Sequence, residues 1–316
     1  MTLKSLHPFL FLLTITVVAT SCKKQVDATP TIAAVVTTTS EFSILSSAVT
    51  KAGLGTTLGS EGPFTVFAPN NDAFAAAGIT ANTVASLSAT DLTKILLYHT
   101  LPAKVVSSDV PVGPNAKVIA ASGDSLFVTR NAGGVFINGI KVTQADIPAS
   151  NGIIHKLTTG VLLPPTGSIV TTAVAAKLDS LVKAVIYASS AVGGDPSLPA
   201  TLSNVTLTVF APTNAAFSAL LTALKLQDIR QIPIATLLAV LRYHVVGGRA
   251  FSSDLTNGNL TMLAGGTTAI NLTNGSTGGP TITGSGNGGN KSNIVAANVV
   301  CTNGVVHVID RVLLPQ

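Results

Sequence analysis

The chain has 316 residues, of which 47% are hydrophobic and only 10% charged, and its formal net charge is +5. This length favours two domains, each with enough apolar residues for a sizeable core. The 18 lysines and arginines are scattered and form no basic stripe with aromatic neighbours, so the composition argues against nucleic-acid binding.

Residues 1–21 have the layout of a bacterial secretion signal. Lys4 precedes an apolar run, residues 9–19, that is too short to span a bilayer, and small residues then lead to Cys22. A cysteine at this point resembles the lipobox of bacterial lipoproteins, which implies that Cys22 is lipidated. The alternative is ordinary cleavage with an incidental cysteine. Residues 22–40, rich in Thr and Ala, are predicted to be the lipidated cysteine and a flexible tether.

The first domain is predicted over residues 41–165, with helices before strands. Residues 42–52 have the apolar spacing of an opening helix, and residues 65–67 are predicted to form a short buried strand that stops before Pro69. Later in the domain, Asn138-Gly139 stands between two apolar runs. This pair predicts a tight two-residue hairpin.

The second domain is predicted over residues 168–316, with an opening helix at residues 173–187. Two stretches rich in Gly, residues 274–280 and 284–293, take the place of the tight hairpin and are predicted to be long, exposed hairpin tips. The junction at residues 164–167 is short, so the two domains are expected to pack end to end.

Three motifs occur twice in the same order, and they indicate a duplicated domain. Their spacing is that of a whole globular domain rather than of a solenoid repeat. The pairs are residues 64–74 with 207–217, residues 97–99 with 242–244, and residues 151–155 with 303–307.

These motifs resemble the signature of the fasciclin domain family, and the resemblance covers nearly everything after residue 41. It implies an α+β fold of two tandem fasciclin-like domains, each a β-wedge of about seven strands with helices packed on one side. It also implies an extracellular or cell-surface location, a role in adhesion and no enzymatic activity. Together with Cys22, it suggests a bacterial lipoprotein. Two short segments, Asp124-Ser125-Leu126 and Asp179-Ser180-Leu181, resemble an O-glycosylation acceptor of the Bacteroidetes.

Four histidines form two equivalent pairs, His99 with His155 and His244 with His307. Each lies on an apolar face of its predicted helix or strand, so a buried, hydrogen-bonded role is expected for all four. A zinc site needs three or four ligands, and two histidines with few carboxylates do not supply them. No metal site and no cofactor is therefore predicted.

Catalytic signatures are absent from the sequence: it contains no nucleophile elbow, no zinc-protease helix and no phosphate-binding glycine loop. No catalytic residue is predicted. His155, His307, Pro69 and Pro212 are assigned to the structural core.

The resemblance also implies candidate adhesive residues. Asp146-Ile147 aligns with the integrin-binding segment of animal fasciclin proteins, and Tyr98-His99 aligns with their Tyr-His segment, which recurs as Tyr243-His244. The alternative for Asp146 is that it caps a local turn.

The sequence therefore predicts a lipoprotein anchored to the cell envelope, in the outer membrane at its periplasmic or outer face, that mediates adhesion or matrix association. The expected partner is a surface polysaccharide, an envelope protein or a matrix component, and contact with the membrane is through the lipid only. A carrier of a small apolar ligand, held between the wedge and its helices, is the alternative, and a hydrolase with an unrecognised site is a third possibility.

Overall fold

The computed structural model describes residues 29–273, 275 and 279–316. The predicted signal peptide and Cys22 lie outside the described residues.

Domain 1 places its helices before most of its strands. Two short 3-10 turns, Ser40–Phe42 and Ser107–Asp109, complete it. The helices are α1 (Ile32–Thr38), α2 (Ser43–Lys51), α3 (Gly55–Gly59), α4 (Asn71–Ala76), α5 (Ala81–Ser86) and α6 (Ala89–Tyr98). The strands are β1 (Phe64–Pro69), β2 (Thr100–Leu101), β3 (Gly113–Ile119), β4 (Ser125–Asn131), β5 (Gly134–Ile137), β6 (Ile140–Ala149) and β7 (Gly152–Leu157).

Domain 2 repeats this order, with 3-10 turns at Ile229–Gln231, Ser252–Asp254 and Ser285–Asn287. The helices are α7 (Ile169–Ala175), α8 (Asp179–Ser190), α9 (Leu198–Asn204), α10 (Asn214–Leu224) and α11 (Ile234–Arg242). The strands are β8 (Leu207–Pro212), β9 (Val245–Gly247), β10 (Gly258–Thr261), β11 (Thr267–Asn271), β12 (Thr281–Gly284), β13 (Ser292–Cys301) and β14 (Gly304–Ile309).

Both domains have a seven-stranded sheet with the same strand order. In domain 1 the order is β2-β1-β7-β6-β5-β4-β3, and in domain 2 it is β9-β8-β14-β13-β12-β11-β10. The first strand of each domain pairs in parallel with the last, β1 with β7 and β8 with β14, and the other neighbours are antiparallel. The common topology confirms the duplication and the predicted α+β fold.

The first strand of each domain separates two apolar clusters, because successive side chains point to opposite faces. Val66 and Ala68 of β1 pack under the helices with Ile32 and Leu45, whereas Phe67 packs on the other face among residues of the remaining strands. Strand β8 divides the core of domain 2 in the same way.

The Asn-Gly pair before each last strand joins the sheet to the first helix. The Asn151 side chain accepts a hydrogen bond from the Ile32 N–H at 2.9 Å and donates to the carbonyls of Leu58 and Ser60, both at 2.8 Å. Asn303 does the same for α7 and α9. A Cβ at Gly152 would lie 2.0 Å from the Phe64 carbonyl oxygen, so the parallel pairing requires glycine here.

The predicted tether is wrong from residue 31 onward. Thr31 caps α1 through a hydrogen bond from the Ala34 N–H, and Ile32 and Val36 are fully buried. Domain 1 therefore begins before residue 41. In domain 2 Ser168 caps the equivalent helix α7, and the single helix predicted at residues 173–187 is broken where Lys177 adopts a φ of 55°.

The predicted ends of the first strands are also corrected. Strand β1 runs through Pro69 and β8 through Pro212, because the residue before a proline favours extended backbone and so continues a strand.

The Gly-rich stretch at residues 284–293 is only partly an exposed tip. Asn287 is buried, donates to the Val312 carbonyl and accepts from the Leu314 N–H, both at 2.9 Å. The first half of the stretch is therefore docked on the end of the chain. The hairpin predicted at Asn138-Gly139 is present, with both residues at positive φ.

No single helix within the described ranges is long and apolar enough to cross a membrane. One pair, Ile32–Thr38 with Ser40–Lys51, meets the length and composition requirement together but is bent by 95°.

Candidate functional site

The histidine that follows α6 and its counterpart after α11 link a helix end to the last segment of the domain. His99 Nδ1 is 2.9 Å from the Ile95 carbonyl, and its Nε2 accepts a hydrogen bond from the Leu162 N–H at 3.0 Å. His244 repeats this geometry with Val240 and Leu313, at 2.7 and 2.9 Å. Because Nε2 is the acceptor, Nδ1 carries the proton and each ring is neutral.

The histidines of the last strands link each strand to a loop. His155 Nδ1 accepts from the Asp146 N–H at 3.2 Å, and its Nε2 donates to the Val105 carbonyl at 2.9 Å. His307 accepts from the Asn298 N–H at 3.3 Å and donates to the Ala250 carbonyl at 2.9 Å. His155 and His307 also stack on the rings of Phe67 and Phe210.

Burial keeps all four rings neutral. Desolvation lowers the pKa of His99 and of His244 to about 4, against a smaller opposing effect of the backbone hydrogen bonds. Desolvation likewise lowers the pKa of His155 and His307. With both nitrogens of each ring engaged inside the protein, none is available to a substrate or a metal.

The Tyr-His pairs are not surface residues. Tyr98 and Tyr243 are 0% and 1% exposed, and His99 and His244 are 2% exposed. The assignment of these four residues as adhesive contacts is therefore wrong. The histidines lie on the apolar faces of α6 and α11, and the tyrosines pack into the apolar cluster on the other face of each sheet, so a partner protein has no access to them.

The tyrosine hydroxyls fix the hairpins over the core. Tyr98 donates to the Ser125 carbonyl at 3.0 Å and accepts from the Asn138 side chain at 2.8 Å. Desolvation is the main reason that the pKa of Tyr98 is raised to about 12. Tyr243 binds the Thr267 carbonyl and accepts from the Ser285 N–H. Pro69 and Pro212 are buried at the ends of the strands that cross this core.

Asp146 lies on the surface, at an irregularity in the pairing of β6 with β7, and has a φ of 60°. Its carboxylate accepts hydrogen bonds from the Ser107 N–H, at 2.8 Å, and from the Ser107 hydroxyl. Desolvation would raise the pKa of Asp146, but these hydrogen bonds outweigh it and lower the pKa. Asp146 thus fixes a local turn, and its neighbour Ile147 is half-buried.

Asn298 is the counterpart of Asp146 in domain 2, and it lies at the junction of the domains. Its φ is 63°. Its side chain accepts a hydrogen bond from the Ser252 N–H, as Asp146 accepts from the Ser107 N–H, and donates to the Ser252 hydroxyl. A Cβ at Gly139 of domain 1 would lie 2.5 Å from the Asn298 Nδ2. The tight hairpin of domain 1 therefore requires glycine for the two domains to approach.

Arg249 anchors the same junction. Its guanidinium lies 4.2 Å from the ring centroid of Phe127 in domain 1 and donates to the carbonyl of Cys301 in domain 2 at 3.2 Å. Its carbonyl accepts from the Asn115 side chain at 2.6 Å. The Thr129 hydroxyl donates to Asp254 at 2.8 Å, which adds another link between the domains. Only the short linker at residues 164–167 indicated this junction in the sequence.

Within the described residues, the face of domain 1 that is equivalent to Arg249 and Asn298 makes no hydrogen bond to domain 2. The Val105 N–H donates to Thr65 in domain 1, and the Ala250 N–H donates to Thr208 in domain 2, so Val105 and Ala250 are equivalent. Lys104, one residue earlier, is therefore the counterpart of Arg249. Lys104 and Asp146 are both exposed. We call the surface of Lys104, Val106, Ser107 and Asp146 the free face.

Metal and thiol chemistry find no support in the part of the chain that the structure describes. No three His, Cys, Asp or Glu side chains there come close enough together to hold a metal ion. Cys301 is buried, and desolvation raises the pKa of its thiol, which is also 3.3 Å from the Thr172 hydroxyl. Such a thiol is a poor nucleophile.

Comparison with known proteins identifies the fold. A family model of the fasciclin domain matches residues 40–164 and 190–315. Protein sll1483 of Synechocystis is 43% identical over 143 residues, which are 44% of this chain and 76% of that protein. The transforming growth factor-beta-induced protein ig-h3 of Sus scrofa is 39% identical over 39% of this chain, but the match spans only 18% of its length.

Among solved structures, the FAS1 domain pair of the insect cell adhesion molecule fasciclin I aligns with 86% of this chain and 95% of that chain. The identity is 18% and the TM-score is 0.37. Fasciclin domains are typically adhesion-related and non-catalytic. The family model covers well over half of the chain, in two segments that coincide with the two sheets, and so the chain belongs to the fasciclin domain family, with two domains in tandem.

Proposed function

We propose that this chain is an envelope-anchored adhesion protein that binds a partner protein through the free face of domain 1, without covalent chemistry. The family supports the adhesive, non-catalytic role. The choice of face rests on one observation. The same surface of the fasciclin fold already binds a protein domain within this chain, where Arg249 and Asn298 of domain 2 meet Phe127 and Gly139 of domain 1.

The chemistry of the free face suits a polar protein surface. Lys104 and Asp146 give it one charge of each sign, and the Ser107 hydroxyl donates to the Asp146 carboxylate. Opposite charges fix the orientation of a partner more than they add affinity. An envelope or matrix protein is therefore the favoured partner, and a surface polysaccharide is the competing outcome.

A binding array of matrix proteins, envelope proteins and glycans tests this function. Asp146→Asn installs the residue of domain 2 and keeps the turn, and Lys104→Ala removes the cation. Each is expected to weaken binding to the captured partner about tenfold, the effect of about 1.4 kcal/mol. Lys94→Ala, an exposed lysine on α6, is the matched control and is expected to bind as the parent does.

Two results would contradict the proposal. Binding that is insensitive to Asp146→Asn and Lys104→Ala would exclude the free face. Hits confined to glycans would replace the protein partner with a polysaccharide.

The lipid anchor is the second part of the proposal, and it rests on the sequence around Cys22. A lipidated cysteine buries acyl chains at about 0.8 kcal/mol for each methylene, enough to keep the protein in the membrane fraction. Cys22→Ala is expected to release it, and retention of this variant would count against the anchor. Location in the outer membrane, a Bacteroidetes-like origin and glycosylation of Ser125 and Ser180 remain predictions, the last of which mass spectrometry of the mature protein would check.

A further inference from the structure

Domain 2 has an apolar cavity of about 220 Å³ between its helices and strand β8. The helices α7, α8, α9 and α11 all contribute to its wall. The residues that matter below are Ala173, Val174, Val182, Ile186 and Val209.

The wall of this cavity offers no hydrogen bond. His244 is the one polar side chain among the lining residues, and both of its nitrogens are engaged, by Val240 and Leu313. Water is held in a cavity only where polar groups bind it, whereas an apolar cavity of this kind accepts an apolar group. The cavity therefore suits a hydrocarbon group and not water.

The mouth of the cavity is lined by exposed apolar side chains. Val174 of α7 is 55% exposed and Ile186 of α8 is 58% exposed. Apolar side chains that are both exposed and in the wall of one cavity mark its opening to solvent.

Domain 1 shows that the fold does not require this apolar mouth. Asn151 binds the Ile32 N–H in domain 1, and Asn303 binds the Ile169 N–H in domain 2, so Ile32 and Ile169 occupy equivalent positions. Counting along each helix from these residues, Val174 corresponds to Thr37. The Asn71 and Asn214 side chains bind the Ile44 and Ser180 N–H groups in the same way.

Counting from these two anchors, Ile186 corresponds to Thr50 and Lys183 to Ser47. The equivalent rim of domain 1 is thus polar. The apolar rim and its lysine belong to domain 2 alone.

A second groove of about 570 Å³, with both polar and apolar side chains in its wall, adjoins the cavity, and Ile186 lines both. The groove contains the hydroxyls of Ser180, Ser190 and Ser218, two cations and the carboxylate of Asp228. Arg230 is already paired with Asp228 at 2.8 Å, and Lys183 is the second cation, exposed on α8. An apolar cavity beside a groove with a cation matches a molecule with a hydrocarbon tail and an anionic head.

We propose that domain 2 binds a free medium-chain fatty acid, with its tail in the apolar cavity and its carboxylate beside Lys183. If each carbon group takes roughly 30 Å³, the volume of one water molecule in the liquid, the cavity of about 220 Å³ holds about seven carbons beyond the carboxylate, which is the length of octanoate. This site is separate from the free face of domain 1, so the adhesive function and the fatty-acid site stand or fall independently.

Calorimetric titration of the full chain carrying Cys22→Ala, with butanoate, hexanoate, octanoate and dodecanoate, tests the tail. Burial of a methylene is worth about 0.8 kcal/mol, so affinity is expected to rise about fourfold for each carbon and then to level off beyond octanoate. A single saturable site with that break supports the proposal. No saturable binding, or a steady rise through dodecanoate, overturns it.

Four variants test the residues, and each installs the residue of domain 1. Val174→Thr and Ile186→Thr make the mouth polar. Ala173→Val fills part of the cavity with a valine, the residue that domain 1 has at the equivalent position 36. Lys183→Ser removes the cation. The first three are expected to weaken octanoate binding at least tenfold. Lys183→Ser is expected to weaken binding of octanoate but not of 1-octanol, which has no charge.

Val192→Thr is the matched control, because Val192 is 99% exposed and lies outside the cavity wall. Unchanged octanoate binding in the mouth and cavity variants, with far-UV circular dichroism like that of the parent, overturns the site. Equal loss of 1-octanol binding in Lys183→Ser overturns the assignment of the carboxylate. If the Cys22→Ala protein sediments with phosphatidylcholine vesicles, the hydrocarbon tail in the cavity belongs to a membrane lipid and not to a free fatty acid.

Discussion

Mild acid is expected to destabilise both domains through His99 and His244. The pKa of each ring is about 4 in the folded protein, against 6.5 for an ordinary histidine. One pKa unit corresponds to 1.36 kcal/mol, so each ring lowers the free energy of unfolding by about 3 kcal/mol once the pH has fallen through the whole interval.

The direction follows from which state binds the proton. Above pH 6.5 both rings are neutral in the folded and the unfolded chain, and the pH has no effect through them. Between pH 6.5 and about 4 the unfolded chain takes up a proton that the folded chain excludes, so the free energy of unfolding falls as the pH is lowered. Protonation of the folded ring would also turn Nε2 into a donor facing the Leu162 N–H. His155 and His307 act in the same direction, because the pKa of each is lowered as well.

Urea unfolding followed by circular dichroism measures this effect. Between neutral pH and about pH 5, each domain is expected to lose about 2 kcal/mol through His99 or His244 alone. The His99→Gln variant removes one titrating ring. It is expected to be less stable at neutral pH but to show a smaller acid-induced loss in domain 1, and domain 2 with His244 intact serves as the internal control. An equal free energy of unfolding at both pH values in the parent protein would refute the buried, neutral state of these rings.

Three substitutions test other parts of the structure. Asn151→Ala removes three hydrogen bonds of about 1 kcal/mol each, so urea unfolding is expected to show a loss of about 2 to 3 kcal/mol in domain 1; a loss below about 0.5 kcal/mol, as at an ordinary surface position, would contradict the anchoring role. Gly152→Ala places a Cβ 2.0 Å from the Phe64 carbonyl oxygen, and a Tm lower than that of Asn151→Ala is expected; an unchanged Tm would contradict the tight strand pairing. Arg249→Ala removes the contact with Phe127 and the hydrogen bonds to the Cys301 and Gly304 carbonyls, so small-angle scattering is expected to show a wider spread of domain orientations and the Tm of domain 2 is expected to fall; an unchanged scattering profile would contradict the anchoring role.

Features that depend on neighbouring residues could be predicted from the sequence. Asn138-Gly139 specifies a turn by backbone preference, and the turn is present with both residues at positive φ. The apolar spacing around His99 and His244 correctly indicated that the rings face the core. Tyr98 and Tyr243 lie outside this apolar spacing and pack into the second cluster of each domain, so the spacing did not predict their burial and the family resemblance suggested a surface role instead.

The remaining features depend on contacts distant in sequence. Helix α1 has a composition suited to a linker. What marks its start is the hydrogen bond from the Ile32 N–H to Asn151, which lies just before β7 and more than a hundred residues further along the chain. The docking of residues 284–287 likewise depends on Asn287 meeting the end of the chain. The free face and the apolar mouth depend on which positions of the two domains are equivalent in three dimensions, and hydrogen bonds between distant residues set this equivalence.

The parallel pairing of each domain's first and last strands has a mechanical consequence. Six residue pairs join β1 to β7, and six join β8 to β14. When the two ends of a domain are pulled apart, the helices before the first strand detach first. The force then slides the two parallel strands along each other and loads all of their hydrogen bonds at the same time. A hairpin pulled from its open end would instead release them one after another. Forced unfolding is governed by the barrier rather than by the equilibrium stability, so this shear geometry lets a domain of ordinary stability hold a load between two surfaces.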